Sequence, residues 1–156
     1  MNERLTTFKN LRSFKARSPK SSHRYSVTVG IGGNVGDVLR RFDRLCTYLR
    51  RDKRVELLQK SLILKNPPFG FTRQDDFFNS IIVLKTSMQP MIFLDYLMRV
   101  EKKFARKRSF ANAPRTLDLD IIFFDKRVVA TQKLQIPHAE WFKRESVLIP
   151  LADIKR

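Results

Sequence analysis

Apolar residues recur along this chain in two rhythms, and the switches between them mark out its elements. Over residues 25–31, Tyr, Val, Val and Ile alternate with small or polar residues, the period-two pattern of a strand. The turn Gly30-Ile31-Gly32-Gly33-Asn34-Val35-Gly36-Asp37 then leads into a helix over about 37–50. There Val38, Phe42, Leu45 and Leu49 share one face, and Arg40, Arg41, Arg44, Arg50 and Arg51 lie elsewhere. A second strand is expected over 55–64, ended by Pro67-Pro68, because paired prolines cannot continue a ladder. A third covers 77–86. Pro90 suits the first turn of a second helix running to about 104, with Met91, Leu94, Leu97, Met98 and Val100 as its apolar stripe. A basic loop over 102–112 leads into a fourth strand ending near Phe124.

The order βαββαβ predicts an α+β, ferredoxin-like fold: a mainly antiparallel sheet with both helices packed on one face. Val128, Val129 and residues 134–136 predict extra C-terminal strands. A short helical piece near Trp141 and an apolar run over 147–154 follow.

Composition narrows the class. At 156 residues with 42% hydrophobic content and 13 Phe, the chain suits one globular domain with a short appendage. Thirty per cent charged residues and no long apolar run exclude a membrane-spanning helix. A single cysteine, Cys46, excludes an internal disulfide, and with two histidines it excludes a cysteine/histidine zinc cluster. The net charge of +17 points to a polyanion: nucleic acid, an acidic membrane or a phosphate-rich small substrate. Residues 1–24 hold seven of the basic residues against Glu3, so the body is basic by itself. Leu5, Phe8 and Leu11 have helical spacing in this arm, as a transit peptide or docking segment would. The expectation is a mobile or surface-lying arm over 1–24, without a part in the chemistry, and a domain over 25–156.

One strand carries chemistry. In Pro114-Arg115-Thr116-Leu117-Asp118-Leu119-Asp120, the two aspartates leave one face while Leu117, Leu119 and Ile121 leave the other. Their Cβ atoms sit roughly 6–7 Å apart, close enough for both carboxylates to lean onto one divalent ion or bridge two. A solvated edge-strand face would look the same, so the surroundings must decide. Arg106, Arg108, Arg115, Lys133, His138 and Arg144 could supply phosphate ligands around such a centre. Neither nucleotide-loop fingerprint applies to the glycine turn: there is no Gly-Lys-Ser/Thr, and Val35 occupies the last position of G-x-G-x-x-G.

The aspartate segment resembles the P-R-T-x-D-x-D signature of the 6-hydroxymethyl-7,8-dihydropterin pyrophosphokinase family of folate biosynthesis. Ile31-Gly32-Gly33-Asn34 resembles that family's opening turn and Asp76-Phe77-Phe78-Asn79 its D-[YF]-x-N segment. Ile136-Pro137-His138, Arg144 and Leu148-Ile149-Pro150-Leu151 resemble its closing segment, so the likeness covers about 25–154. It implies transfer of an intact pyrophosphoryl group from ATP to the pterin hydroxymethyl oxygen, releasing AMP, with two Mg²⁺ on Asp118 and Asp120. By position, Arg106 and Arg115 match catalytic arginines, and Arg108, Ile121, Lys133, His138 and Arg144 match ATP-binding positions. Asn66, Pro67, Phe69, Phe77 and Asn79 match the pterin pocket. A cytoplasmic monomer acting on two small molecules, with no membrane and no need of nucleic acid, is expected.

Two positions depart from the pattern: Asn112 stands where a loop tryptophan is usual, and Ser146 where a second pterin-stacking phenylalanine is usual. Trp141, Phe142 and Phe110 are candidates to replace that ring. The rival readings are a nucleotide-sugar glycosyltransferase, which also uses D-x-D but needs a longer chain, and a basic ferredoxin-like module that binds nucleic acid without catalysis. The latter lacks the RNP1 aromatics on a central strand.

Overall fold

The expected βαββαβ succession is present, with two additions at its start. The computed structural model describes residues 5–8, 14–15, 22–107 and 109–154. In chain order the elements are β1 (Thr6–Phe8), β2 (Phe14–Lys15), β3 (Tyr25–Gly33), α1 (Val38–Arg51), β4 (Val55–Lys60), β5 (Ile63–Asn66), β6 (Phe77–Thr86), α2 (Pro90–Lys103), β7 (Asp118–Phe124), β8 (Val129–Ala130), β9 (Gln135–Ile136) and α3 (Glu145–Ala152). A 3-10 turn at Trp141–Lys143 precedes α3.

All pairings are antiparallel. β3 lies between β7 and β6, and β6 carries β4 and β5 on its far side. This is the ferredoxin-like arrangement. β8 and β9 form a separate hairpin after β7, the extra strands expected near the C-terminus.

Alternation explains the main core. Val27, Val29 and Ile31 of β3 and Leu119 and Ile121 of β7 pack under Phe42, Leu45 and Leu49 of α1 and Phe93, Leu97 and Val100 of α2. The Asp37 carboxylate accepts the Arg40 N–H at 3.2 Å and caps α1. The other face of the sheet is covered only in part. There α3 brings Val147 and Leu151 onto Ile81 and Ile122. The rest of that face stays open for a site.

Two expectations change. The strand expected over 55–64 is divided, because Ser61 takes over the ladder: its N–H donates to Ile81 O at 2.8 Å and its Oγ accepts the Ile81 N–H at 2.8 Å. The helical spacing of Leu5 and Phe8 is not realised either. Thr6–Phe8 extends the sheet beside β5, and Phe14–Lys15 pairs with β4, so the arm covers sheet edges that would otherwise expose unpaired backbone. Leu11 lies outside the described residues. Near the end of the arm, His23 Nε2 lies 2.9 Å from the Lys53 carbonyl and its Nδ1 2.9 Å from Ser87 Oγ, fastening this segment to the body.

Candidate active site

Because Leu119 and Ile121 belong to the main core, Asp118 and Asp120 stand on the open face of β7. The register then clears the space beside them. Gly32 of β3 is opposite Asp118 and Gly30 is opposite Asp120, so no side chain rises between the carboxylates and β6. On the far side of β3, Gly32 faces Asn79. A Cβ on Gly32 would meet Asn79 Oδ1 at 2.7 Å, and one on Gly33 would meet the Thr116 carbonyl at 2.6 Å. These glycines are required by close approach.

The two acids differ in their surroundings. Arg106 Nη1 donates to Asp118 Oδ1 at 3.0 Å, and Arg115 Nη1 donates to Asp118 Oδ2 at 3.2 Å. Asp120 has no such pair among the described residues. Its carboxyl is pushed up to about 7, by burial first and then by the charges of Asp118 and Glu101, with Arg115 and Arg144 offsetting part. Glu101 is the residue that motif reasoning missed. It is buried in the last turn of α2, where its Oε2 accepts the Leu119 N–H at 2.8 Å and lies 3.7 Å from Arg106 Nη1. Its one sequence signal was an acid in a helix's last turn, against the macrodipole.

The donor set suits a hard cation. The facing groups are carboxylate oxygens over a glycine floor. Among the described residues no cluster of three or more His, Cys, Asp or Glu side chains gathers to hold a metal. Two carboxylates without a fuller protein cage fit magnesium, which keeps waters and takes further oxygens from substrate phosphates.

Beside Asp120 opens a cleft of about 290 Å³, lined by Ile121, Lys133 and His138 with Leu94 and Leu134. Lys133 reaches it from the β8–β9 turn, which Thr131 closes on Leu134. The His138 Nδ1 accepts the Glu140 N–H at 3.2 Å, which places the proton of the neutral ring on Nε2. Burial and the nearby Arg144 hold the His138 pKa below its ordinary value.

On the other side of Asp118, Asn66, Phe77 and Asn79 form a ledge on the same open face. Asn79 Nδ2 donates to Asn66 Oδ1 at 2.6 Å, and Asn66 Nδ2 to Pro67 O at 3.1 Å. The Arg115 guanidinium lies 5.3 Å over the Phe77 ring, so Arg115 touches both halves of the site. Phe69, 70% exposed, lies under the Arg144 guanidinium at 5.4 Å. Arg108 lies outside the described residues. Asp118, Asp120, Asn66, Phe77 and Asn79 share this face, and Arg106 and Arg115 reach it through Asp118. Ile121 belongs to the opposite face and meets Asp120, Lys133 and His138 only along the cleft.

Each candidate replacement ring packs on another aromatic side chain. Trp141 is held by Phe123 at 5.0 Å, Phe142 leans on Trp141, and Phe110 meets Phe71 edge-on at 5.3 Å. Asn112 takes a left-handed conformation, φ +58°, which asparagine tolerates better than tryptophan does.

Comparison with known proteins agrees with this geometry. Among curated relatives, a 2-amino-4-hydroxy-6-hydroxymethyldihydropteridine pyrophosphokinase of Campylobacter jejuni is 39% identical over 145 residues, covering 93% of this chain and 87% of that protein. One of the same name from Helicobacter pylori is 39% identical over 128 residues, covering 81% and 78%. One from Bacillus subtilis is 32% identical, covering 81% and 75%. Residues 28–156 match the family described as 7,8-dihydro-6-hydroxymethylpterin-pyrophosphokinase, and the chain belongs to that family.

Proposed function

We infer that this chain transfers the pyrophosphoryl group of ATP to the hydroxymethyl oxygen of 6-hydroxymethyl-7,8-dihydropterin, giving the pterin diphosphate and AMP. The carrying observation is the Asp118–Asp120 pair on its glycine floor, flanked by Arg106 and Arg115, between the cleft and the aromatic-amide ledge. The names shared by the relatives support the same reaction.

Each side has a role. Asp118 and Asp120 would hold two Mg²⁺, which would supply neutralisation of phosphate charge. Arg106 and Arg115 add fixed positive charge where the transferred phosphates lie, which spares the site a strong base. Lys133, His138 through Nε2–H, and Arg144 donate to the nucleotide, with Arg108 alongside them by its place in the sequence. Ile121 gives the cleft an apolar wall. Phe77 and Phe69 meet the pterin rings, and Asn79, Asn66 and the Pro67 turn meet its polar edge. The arm up to Arg24 takes no part in the chemistry, and the chain works as a cytoplasmic monomer. Among the described residues no helix is long and apolar enough to cross a membrane.

Incubation with ATP, Mg²⁺ and the hydroxymethyl-dihydropterin should release AMP. ADP, or no product, would overturn this reading. Gly32→Ala tests the ledge, because the added methyl must swing the Asn79 amide aside. The KM for the pterin should rise roughly tenfold, about 1.4 kcal/mol, with the KM for ATP changed less than about twofold. Equal changes in both constants would detach Asn79 from the pterin.

A further inference from the structure

Three loops meet behind Arg115, and two side-chain amides join them. Asn34, buried at the end of β3, grips the backbone of Arg115 on both sides. Its Oδ1 accepts the Arg115 N–H at 2.9 Å, and its own N–H donates to the Arg115 carbonyl at 2.9 Å. Its Nδ2 is committed to the loop over 67–76, donating to Gln74 Oε1 at 2.8 Å and Asp75 O at 2.9 Å. Gln74 passes the connection on: its Nε2 donates to Phe71 O at 2.6 Å and to Asn112 O at 2.8 Å. Both amides therefore use their oxygen and both N–H groups.

The backbone is shaped to allow this. Gly70, at φ +78°, lets the loop approach so closely that a Cβ there would meet Asn112 Nδ2 at 2.5 Å. The edge-on Phe71–Phe110 contact joins the same two loops. One of these loops leads from Asn66 and Phe69 to Phe77, and the other carries Arg115.

We propose that Gln74 is a positioning residue: it ties the pterin-side loop to the loop bearing Arg115, so that the guanidinium between Phe77 and Asp118 is held in its working place. The proposal rests on Arg115 neutralising phosphate charge, as read above. Gln74 touches neither the Asp118–Asp120 pair nor the cleft at Ile121, Lys133 and His138. Its loss acts through Arg115, and displacements of about 1 Å at a reacting centre cost up to about a hundredfold in rate.

The test is a kinetic double-mutant cycle on the whole chain. Gln74→Leu removes all three hydrogen bonds. Gln74→Glu keeps the length and the acceptor for Asn34 but cannot donate to Phe71 O or Asn112 O, and it serves if the leucine variant fails to fold. The kcat for AMP release should fall roughly 10–100-fold, while affinity for a non-hydrolysable ATP analogue with Mg²⁺, read by calorimetry, stays within about twofold. In an Arg115→Ala background the same substitutions should lower kcat less than about twofold, because the group they position is gone. The proposal is overturned by unchanged kcat in the Gln74 variants, or by an equal fold loss with and without Arg115. If Arg115→Ala alone keeps the parental kcat, it also falls, with the reading of Arg115 at fault rather than the loop linkage.

Discussion

Asp118→Ala and Asp120→Ala are each expected to lower turnover by at least about a thousandfold, because the magnesium-dependent charge neutralisation that dominates phosphoryl-type transfer is anchored on this pair. The two variants should move stability in opposite directions. Asp118 is held by Arg106 and Arg115, whose side chains are 10% and 18% exposed, so its removal leaves two largely desolvated guanidinium groups without that acceptor. A loss of about 1–3 kcal/mol is expected. Asp120 carries the opposite balance: its burial and its two acidic neighbours make the ionised carboxylate unfavourable in the metal-free fold. Asp120→Asn should therefore raise the melting temperature in EDTA, while losing activity with Mg²⁺. Saturating AMP-release assays and calorimetric melts separate the two effects. Normal turnover in either alanine variant would make the pair surface decoration.

This opposition marks a general limit in reading the chain. Period-two alternation put Leu119 and Ile121 inside and Asp118 and Asp120 outside without any coordinates, and the observed core agrees. The difference between the two acids is another matter. It depends on Glu101 arriving from α2 and on both arginines turning to Asp118, which are tertiary facts. The glycine floor is similar. The glycines were visible in the sequence, but their work appears only once register places Gly30 and Gly32 opposite the aspartates.

Each misread element has a specific physical cause. Ser61 divides the second strand because its hydroxyl competes for backbone groups, something hydrophobic periodicity does not register. Leu5 and Phe8 look helical by spacing, yet the nearby stretch Thr6–Phe8 is claimed by pairing with residues almost sixty positions later in sequence. Long-range pairing of this kind overrides weak local preference. The run over 147–154 carried no clear period, and it became α3, whose Val147 and Pro150 are buried on the open face of the sheet rather than beside α1 and α2. Gln74 carried no motif signal as a joint, since its role lies in three hydrogen bonds, one within its own loop and two to other segments.

Arg106→Ala should lower kcat by about a hundredfold to a thousandfold while affinity for the ATP analogue changes less than about threefold. Arg106 stands where the acids converge: its Nη1 meets Asp118 Oδ1, donates to the Leu117 carbonyl at 2.8 Å, and faces Glu101. Its Nε is buried with no hydrogen-bond partner among the described residues. Arg106→Lys keeps the charge but not the planar fork, so it should recover no more than about tenfold of the lost rate. Stability discriminates this role from simple ion pairing. Without Arg106, the buried Glu101 carboxylate loses the guanidinium 3.7 Å away and still faces Asp120, so the alanine variant should melt lower. Adding Glu101→Gln removes that charge while its amide oxygen still accepts the Leu119 N–H. The double variant should therefore regain most of the melting temperature and none of the kcat. Recovery of both together would mean that Arg106 serves only to neutralise Glu101, and that the positive charge acting on phosphate comes from Arg115 alone.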